Sequence, residues 1–252
     1  MYIFSLPKTK LHSTLTDVST PHESVDFSAT LRNMIMKKPI STWDFENNGI
    51  DSVGSNDLTD SGTPVYSAVT YKLGSYAFSG NATANYLYHG TLLDTIRTDY
   101  GGAIGTGISL EMWVRFNDVT TAGLYFFDKT NTTNDHIRAI ISAANTARFS
   151  MGTNAEGQVL LTTTVAINTW YHFVFIIKAN GDCYLYKNGV LVASDTATLS
   201  NIMNNGTTGN FCIGSDGSGH EIDGFVDALS LFGYCLPDSY IWKLYDRATA
   251  TW

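Results

Sequence analysis

Apolar and polar positions in this chain repeat with a period of two, or run together, over a series of short stretches. In Ile108-Ser-Leu-Glu-Met-Trp-Val-Arg-Phe116 the residues Ile108, Leu110, Met112, Val114 and Phe116 fall on one face, the signature of a strand covered on one side. Trp170-Tyr-His-Phe-Val-Phe-Ile-Ile-Lys178 is almost continuously apolar, which predicts a strand buried on both faces. Ala179-Asn-Gly-Asp then turns the chain into Cys183-Tyr-Leu-Tyr, and Lys187-Asn-Gly turns it into Val190-Leu-Val-Ala. Asn180-Gly181 and Asn188-Gly189 both supply the positive φ angles of a tight hairpin turn, so a three-strand meander is expected. From Ile40 onward strand-like runs recur about every ten residues, the spacing of a sandwich or barrel. Helix is nearly absent, the best candidate being a short one at Pro237-Asp-Ser-Tyr-Ile-Trp-Lys-Leu-Tyr245.

Residues 1–40 follow a different pattern. They mix Ser, Thr, His and Lys with scattered apolar residues, and Leu31 to Lys38 suits one amphipathic turn of helix, ended by Pro39. Met1, Tyr2, Ile3, Phe4 and Leu6 cluster, with Lys8 and Lys10 directly after them. The segment reads as a non-globular arm with an apolar tip and a basic stem, suited to docking on other protein chains. Residues 41–252 read as one domain.

Charge sharpens this division. Residues 1–40 hold five Lys/Arg against three acids, a balance of +2, and the total of −8 leaves −10 on the other 212 residues. An acidic body excludes nucleic-acid binding, which needs clustered Lys and Arg on phosphates. The basic arm suits an acidic partner, its own copies included, so a homo-oligomer or a larger complex is expected; a solvated tail is the competing reading. Charged residues make up 15% and aromatics 13%, with Thr, Asn, Ser and Gly abundant, which favours pleated half-buried strands over surface helices. Cys183, Cys212 and Cys235 have no metal-ligand spacing and are expected as buried free thiols. No apolar run is long enough to span a membrane, and the first residues lack the basic region of a signal peptide.

Six segments, in order, resemble the laminin-G-like jelly rolls of the concanavalin A-like lectin/glucanase superfamily. They are Trp43-Asp-Phe-Glu46 followed by the acidic turn Asp51 to Thr59, Leu73 to Gly80, Ile108 to Val114, Trp170 to Val192, and Cys212-Ile-Gly214 with Gly224 to Leu231; Leu236 to Tyr245 stands for the closing helix. The resemblance spans about residues 41–246 and implies an all-β fold, a two-sheet antiparallel jelly-roll sandwich used mostly to bind glycans or proteins. Fold does not fix function.

Glucanases of this superfamily carry alternating acids on one strand, as nucleophile, helper and general acid. Glu221 and Asp223 match the first two, but Phe225 and Val226 stand where the third belongs and Asp227 comes late, so catalysis is not expected. Calcium is the metal this composition suits, since it takes hard oxygen ligands. Asp51 and Asn56 of the acidic turn are its candidate ligands, with Asp227 as a further one because the resemblance brings first and last strands together. The competing reading of that turn is an Asx-turn capping local amides. His172 is expected in the core. Trp43, Trp113 and Trp170 are expected there too, whereas one or two of Tyr66, Tyr71, Tyr76, Tyr86, Tyr88 and Tyr100 are expected to be exposed where sugars stack.

Three functions from different classes are compatible with this sequence. The first is a virion or other assembly component, a decoration or fibre protein anchored by residues 1–40. The second is a free carbohydrate-binding module, and the third a glycosidase of the same superfamily, disfavoured by the broken acid pattern. The first implies a virion-associated protein; otherwise the chain is expected outside the cell by a route that needs no signal peptide.

Overall fold

The computed structural model of the chain describes residues 38–81, 85–92, 107–120, 123–128, 136–153, 157–196, 210–215 and 221–249. The chain divides into Met1–Lys37 and Lys38–Trp252. The description concerns the second unit; the docking residues expected at Met1, Tyr2, Ile3, Phe4, Leu6, Lys8 and Lys10, and the helical turn after Leu31, lie outside the described residues.

Among the described residues the fold is all-β with one helix. The strands are β1 (Ser41–Trp43), β2 (Thr59–Ser61), β3 (Val65–Ser67), β4 (Ala77–Asn81) and β5 (Tyr86–His89). Then come β6 (Ile108–Phe116), β7 (Gly123–Asp128), β8 (His136–Ala143), β9 (Thr146–Thr153) and β10 (Gly157–Thr164). The last are β11 (Trp170–Ile177), β12 (Asp182–Lys187), β13 (Val190–Thr196), β14 (Phe211–Ile213) and β15 (Asp223–Phe232), followed by helix α1 (Asp238–Thr249). One layer is an eight-stranded antiparallel sheet in the order β13-β12-β11-β6-β15-β4-β3, with β1 also on β15. The facing layer consists of β10-β9-β8-β7 and β14-β5-β2. This is the expected antiparallel sandwich.

The period-two pattern of β6 sends Leu110, Met112, Val114 and Phe116 into the main core between the layers, where they meet Phe173 and Phe175 of β11, Phe149 of β9 and Trp43 of β1. Trp43 stacks on Phe211 at 5.1 Å and donates its Nε1–H to the Asn56 carbonyl at 2.9 Å. A second core lies on the other face of the large sheet, where Val174, Ile176 and Phe232 pack against Ile241 and Leu244 of α1. Ile241 and Leu244 are three apart and so share one face of the helix. Asp238, in the first turn of α1, accepts the Tyr186 hydroxyl at 2.7 Å. The meander β11–β12–β13 forms as expected. At its second turn Asn188 and Gly189 both have positive φ (52° and 78°), but at the first only Gly181 does (90°). Cys183 and Cys212 are buried and Cys235 is partly covered. No helix among the described residues is long and apolar enough to cross a membrane.

Candidate functional site

Because one face of β6, β11 and β15 supplies the main core, the alternate residues must face the other way. Helix α1 covers only part of that outer face, and beyond it the pairing register lines up a row. Trp170 pairs with Arg115, Arg115 with Phe225, Phe225 with Ser79, and Ser79 with Val65. Five strands at the usual spacing make a platform about 19 Å long. Trp170, Arg115 and Phe225 are half-buried, and Val65 is 46% exposed. The Trp170 and Phe225 rings lie 6.4 Å apart, and the Arg115 guanidinium lies 5.4 Å from the Phe225 ring, a cation–π contact.

Loop residues fix the arginine. Its Nη1 donates to Asn117 Oδ1 at 2.9 Å and its Nη2 to Asn168 Oδ1 at 2.7 Å. Asn117 is oriented in turn by Asp223, whose Oδ1 accepts the Asn117 Nδ2–H at 3.0 Å. Asn168 has a positive φ of 59°, a conformation asparagine tolerates, and its backbone N–H is tied to the Phe116 carbonyl at 2.7 Å.

Two residues along each strand lies a second row, His172–Trp113–Asp227, and it is sealed. His172 and Asp227 are fully buried and Trp113 is nearly so. Tyr245 of α1 stacks on Trp113 at 5.8 Å, and Lys72 Nζ sits 4.5 Å from the Trp113 ring centre. His172 Nε2 is 3.1 Å from Oε1 of the buried Glu111. Asp227 Oδ2 accepts the backbone N–H groups of Lys72 at 2.6 Å and Leu73 at 2.9 Å, while its Oδ1 has no hydrogen-bond partner among the described residues. Burial pushes the Asp227 carboxyl up to about 6 against the pull of these amides, and burial lowers the Lys72 ammonium although Asp227 favours its charge. Trp113 Nε1 and His172 Nδ1 also lack hydrogen-bond partners among the described residues.

This geometry shows what became of the acid pattern. Asp223, Phe225 and Asp227 do share one face of β15, but Phe225 holds the middle as an aromatic wall. Asp227 is locked under backbone amides, and Asp223 is spent on orienting Asn117. Burial also pushes the Cys183 thiol up to about 12, so that residue is no nucleophile near neutral pH.

The acidic turn is built as the Asx-turn reading describes. Asp51 Oδ1 accepts the N–H groups of Thr42, Val53 and Gly54 at 2.9–3.0 Å, and its Oδ2 accepts that of Asn56 at 3.1 Å. Burial opposes its charge, yet the amides of Gly54, Thr42, Val53 and Asn56 hold the carboxyl below its usual range. Asn56 Nδ2 donates to Ser41 Oγ at 2.7 Å. The positive ends of four amide dipoles converge on Asp51 and stabilise its negative charge. Calcium at Asp51 would compete with these four amides, whereas Asp227 uses only Oδ2 for the Lys72 and Leu73 amides. Among the described residues no group of three His, Cys, Asp or Glu side chains could hold a metal.

His172 lies in the protein interior as expected, and so do Trp43 and Trp113. Trp170 does not: it opens β11 beyond the reach of α1 and stays half-exposed. Tyr71 is exposed, Tyr66, Tyr76, Tyr86 and Tyr88 are partly covered, and Tyr100 lies outside the described residues. Sequence reasoning missed Arg115, Asn117, Asn168 and Phe225 as one constellation. The alternation of β6 and β15 placed Arg115 and Phe225 opposite the core face, which was the available signal.

A family model for the concanavalin A-like lectin/glucanases superfamily matches residues 90–241. No characterised protein matches the sequence. Among solved structures, the chain is similar to the binding domain of botulinum neurotoxin DC in complex with rat synaptotagmin II. The TM-score is 0.63 at 14% identity, over 83% of this chain and 51% of that one. The same domain in complex with SialylT gives 0.63 at 14%, over 82% and 50%. Botulinum neurotoxin type C, whose cell entry is described as dependent on two ganglioside molecules, gives 0.64 at 13%, over 89% and 53%. The chain spans about half the length of these domains, and at such identities the likeness concerns the fold.

Proposed function

The chain belongs to the concanavalin A-like lectin/glucanases superfamily, and we propose that its sandwich is a non-catalytic module that binds glycan on the open face of the eight-stranded sheet. The observation that carries this reading is the row Trp170–Arg115–Phe225: two aromatic walls and a fixed cation, half-exposed on a rigid sheet and flanked by Asn117 and Asn168. Sugar rings offer apolar C–H faces to aromatic side chains and hydroxyls to amides and guanidinium groups, and this row presents both kinds of partner. The half-length similarity to neurotoxin binding domains described with SialylT, gangliosides and synaptotagmin supports use of the fold for binding and leaves the ligand open.

Binding of the protein to an array of neutral and acidic glycans tests the reading. Trp170→Ala and Phe225→Ala should each weaken the signal by up to about tenfold, the worth of one aromatic contact. Tyr88→Ala, in the separate Tyr86–Tyr88 pair 6.0 Å apart on β5, should leave it unchanged. Loss of binding in Tyr88→Ala with retention in Trp170→Ala would move the site elsewhere.

The proposal has a second part. Residues 1–40, with a balance of +2 against −10 on the body, serve as an anchor that joins the module to an assembly such as a virion. Charge asymmetry and the apolar cluster at Met1, Tyr2, Ile3, Phe4 and Leu6 support it.

A further inference from the structure

The platform contains one charge, and its environment bears on the kind of sugar it holds. A guanidinium has five N–H donors. Arg115 gives one to Asn117 and one to Asn168, and the other three have no protein partner among the described residues. Both bonds end on neutral amide oxygens, so among the described residues no carboxylate caps the cation. The nearest connected acid is Asp223, which reaches Arg115 only through Asn117. The Phe225 ring lies 5.4 Å from the guanidinium, and Trp170 is the cross-strand partner of Arg115. The body as a whole is acidic, with −10 over residues 41–252, and the Arg115 cation is a local exception to that charge.

Resting on the platform reading above, we infer that Arg115 selects glycans bearing a carboxylate on a terminal sugar ring. The fork of the guanidinium would meet the carboxylate in two parallel bonds, while the ring lies against Trp170 or Phe225. Sialic and uronic acids share that chemistry. Asp223 has an opposing effect, because its charge lies close enough to weaken an incoming anion. Its other role, turning Asn117 toward Arg115, needs only an acceptor oxygen, which asparagine also has.

The experiment titrates the full chain with sialyllactose, with a disaccharide ending in glucuronic acid, and with lactose, following backbone amide shifts by NMR. Wild type should bind at least one acidic sugar about tenfold more tightly than lactose, the worth of a charge-assisted pair. Arg115→Gln should bring that ratio to about one, and Arg115→Lys should retain part of it, since the charge remains and the fork does not. Asp223→Asn should raise the ratio of acidic-sugar to lactose affinity above that of wild type. Amide spectra that superpose away from the platform verify that each variant is folded, and Arg115→Lys keeps the test open should Arg115→Gln not fold. Equal affinities for acidic and neutral sugars in wild type would overturn the inference and leave glycan binding standing. An acidic preference that persists in Arg115→Gln would overturn it equally. No shift with any sugar at millimolar concentration would overturn the inference together with the platform reading.

Discussion

Asp227 shows how one buried residue ties the stability of the sheet to pH. Its carboxyl is held up to about 6 in the folded protein, mainly by burial, against an ordinary value of 3.8. A group whose pKa is raised by folding favours the folded state while it is protonated. Its stabilising contribution is therefore complete below about pH 4 and is lost as pH rises to about 6, a change of about 3 kcal/mol at most. Other groups titrate nearby with other signs; His89, lowered by burial, favours the fold as pH rises. The clean quantity is accordingly the difference between wild type and Asp227→Asn. Asparagine keeps an acceptor for the Lys72 and Leu73 amides and removes the titration. Urea unfolding at pH 4, 5, 6 and 7 should show the variant gaining stability relative to wild type across that window. A constant difference would mean that Asp227 stays ionised throughout, with Lys72 acting as its counter-ion.

Among the elements, β15 carries the most, since it pairs with β1, β4 and β6 and supplies both Phe225 and Asp227. Between Asp227 and Ser230 its register with β6 slips, and Ala228 at the slip has a φ of 48°. This bulge lets Val226 and Leu229, an odd number of residues apart, both enter the main core. An L-residue in that region costs about 1–2 kcal/mol. Ala228→Gly should therefore raise unfolding free energy by about 0.5 to 1 kcal/mol, net of the extra freedom glycine has when unfolded. A loss of stability on urea titration would show that the buried Ala228 methyl outweighs the backbone. Alanine gives no sign of a positive φ, so the bulge was not legible in the sequence, whereas Asn188-Gly189 announced its turn because both residues favour that region. Asn180-Gly181 carried the same signal and yielded a looser loop, with the Gly181 N–H bonding back to the Lys178 carbonyl at 3.0 Å. Local preference names the turn, and the strands it joins decide its shape. The platform was half legible for a related reason. Period two told which residues of β6 and β15 face away from the core, but not that Trp170, Arg115 and Phe225, distant in sequence, share a row. That depends on strand order, which a pattern along one strand does not contain.

At the scale of the molecule the sandwich accounts for its own stability, since the main core draws on strands of both layers from β1 to β15 and α1 closes the second core. Of residues 1–40, only Ile40 packs against a core among the described residues. Residues 1–40 have too few large apolar side chains for a core of their own, and ordering them costs about 1–2 kcal/mol per residue. Burying Met1, Tyr2, Ile3, Phe4 and Leu6 against another chain would return roughly 1.5–3 kcal/mol for each large side chain, and Lys8 and Lys10 would add attraction to an acidic surface. The body of a second copy, at −10, is such a surface. Deleting residues 1–38 should therefore leave a soluble protein with the same β-type circular dichroism and the same melting behaviour, because no strand among the described residues is lost. Size-exclusion chromatography with light scattering should find the intact chain as an oligomer and the truncated chain as a monomer. Raised salt should also loosen the intact oligomer, since part of its attraction is electrostatic and is screened. A truncated chain that still forms the oligomer would put the interface on the sandwich, and an intact chain that runs as a monomer would leave the arm without the role proposed for it.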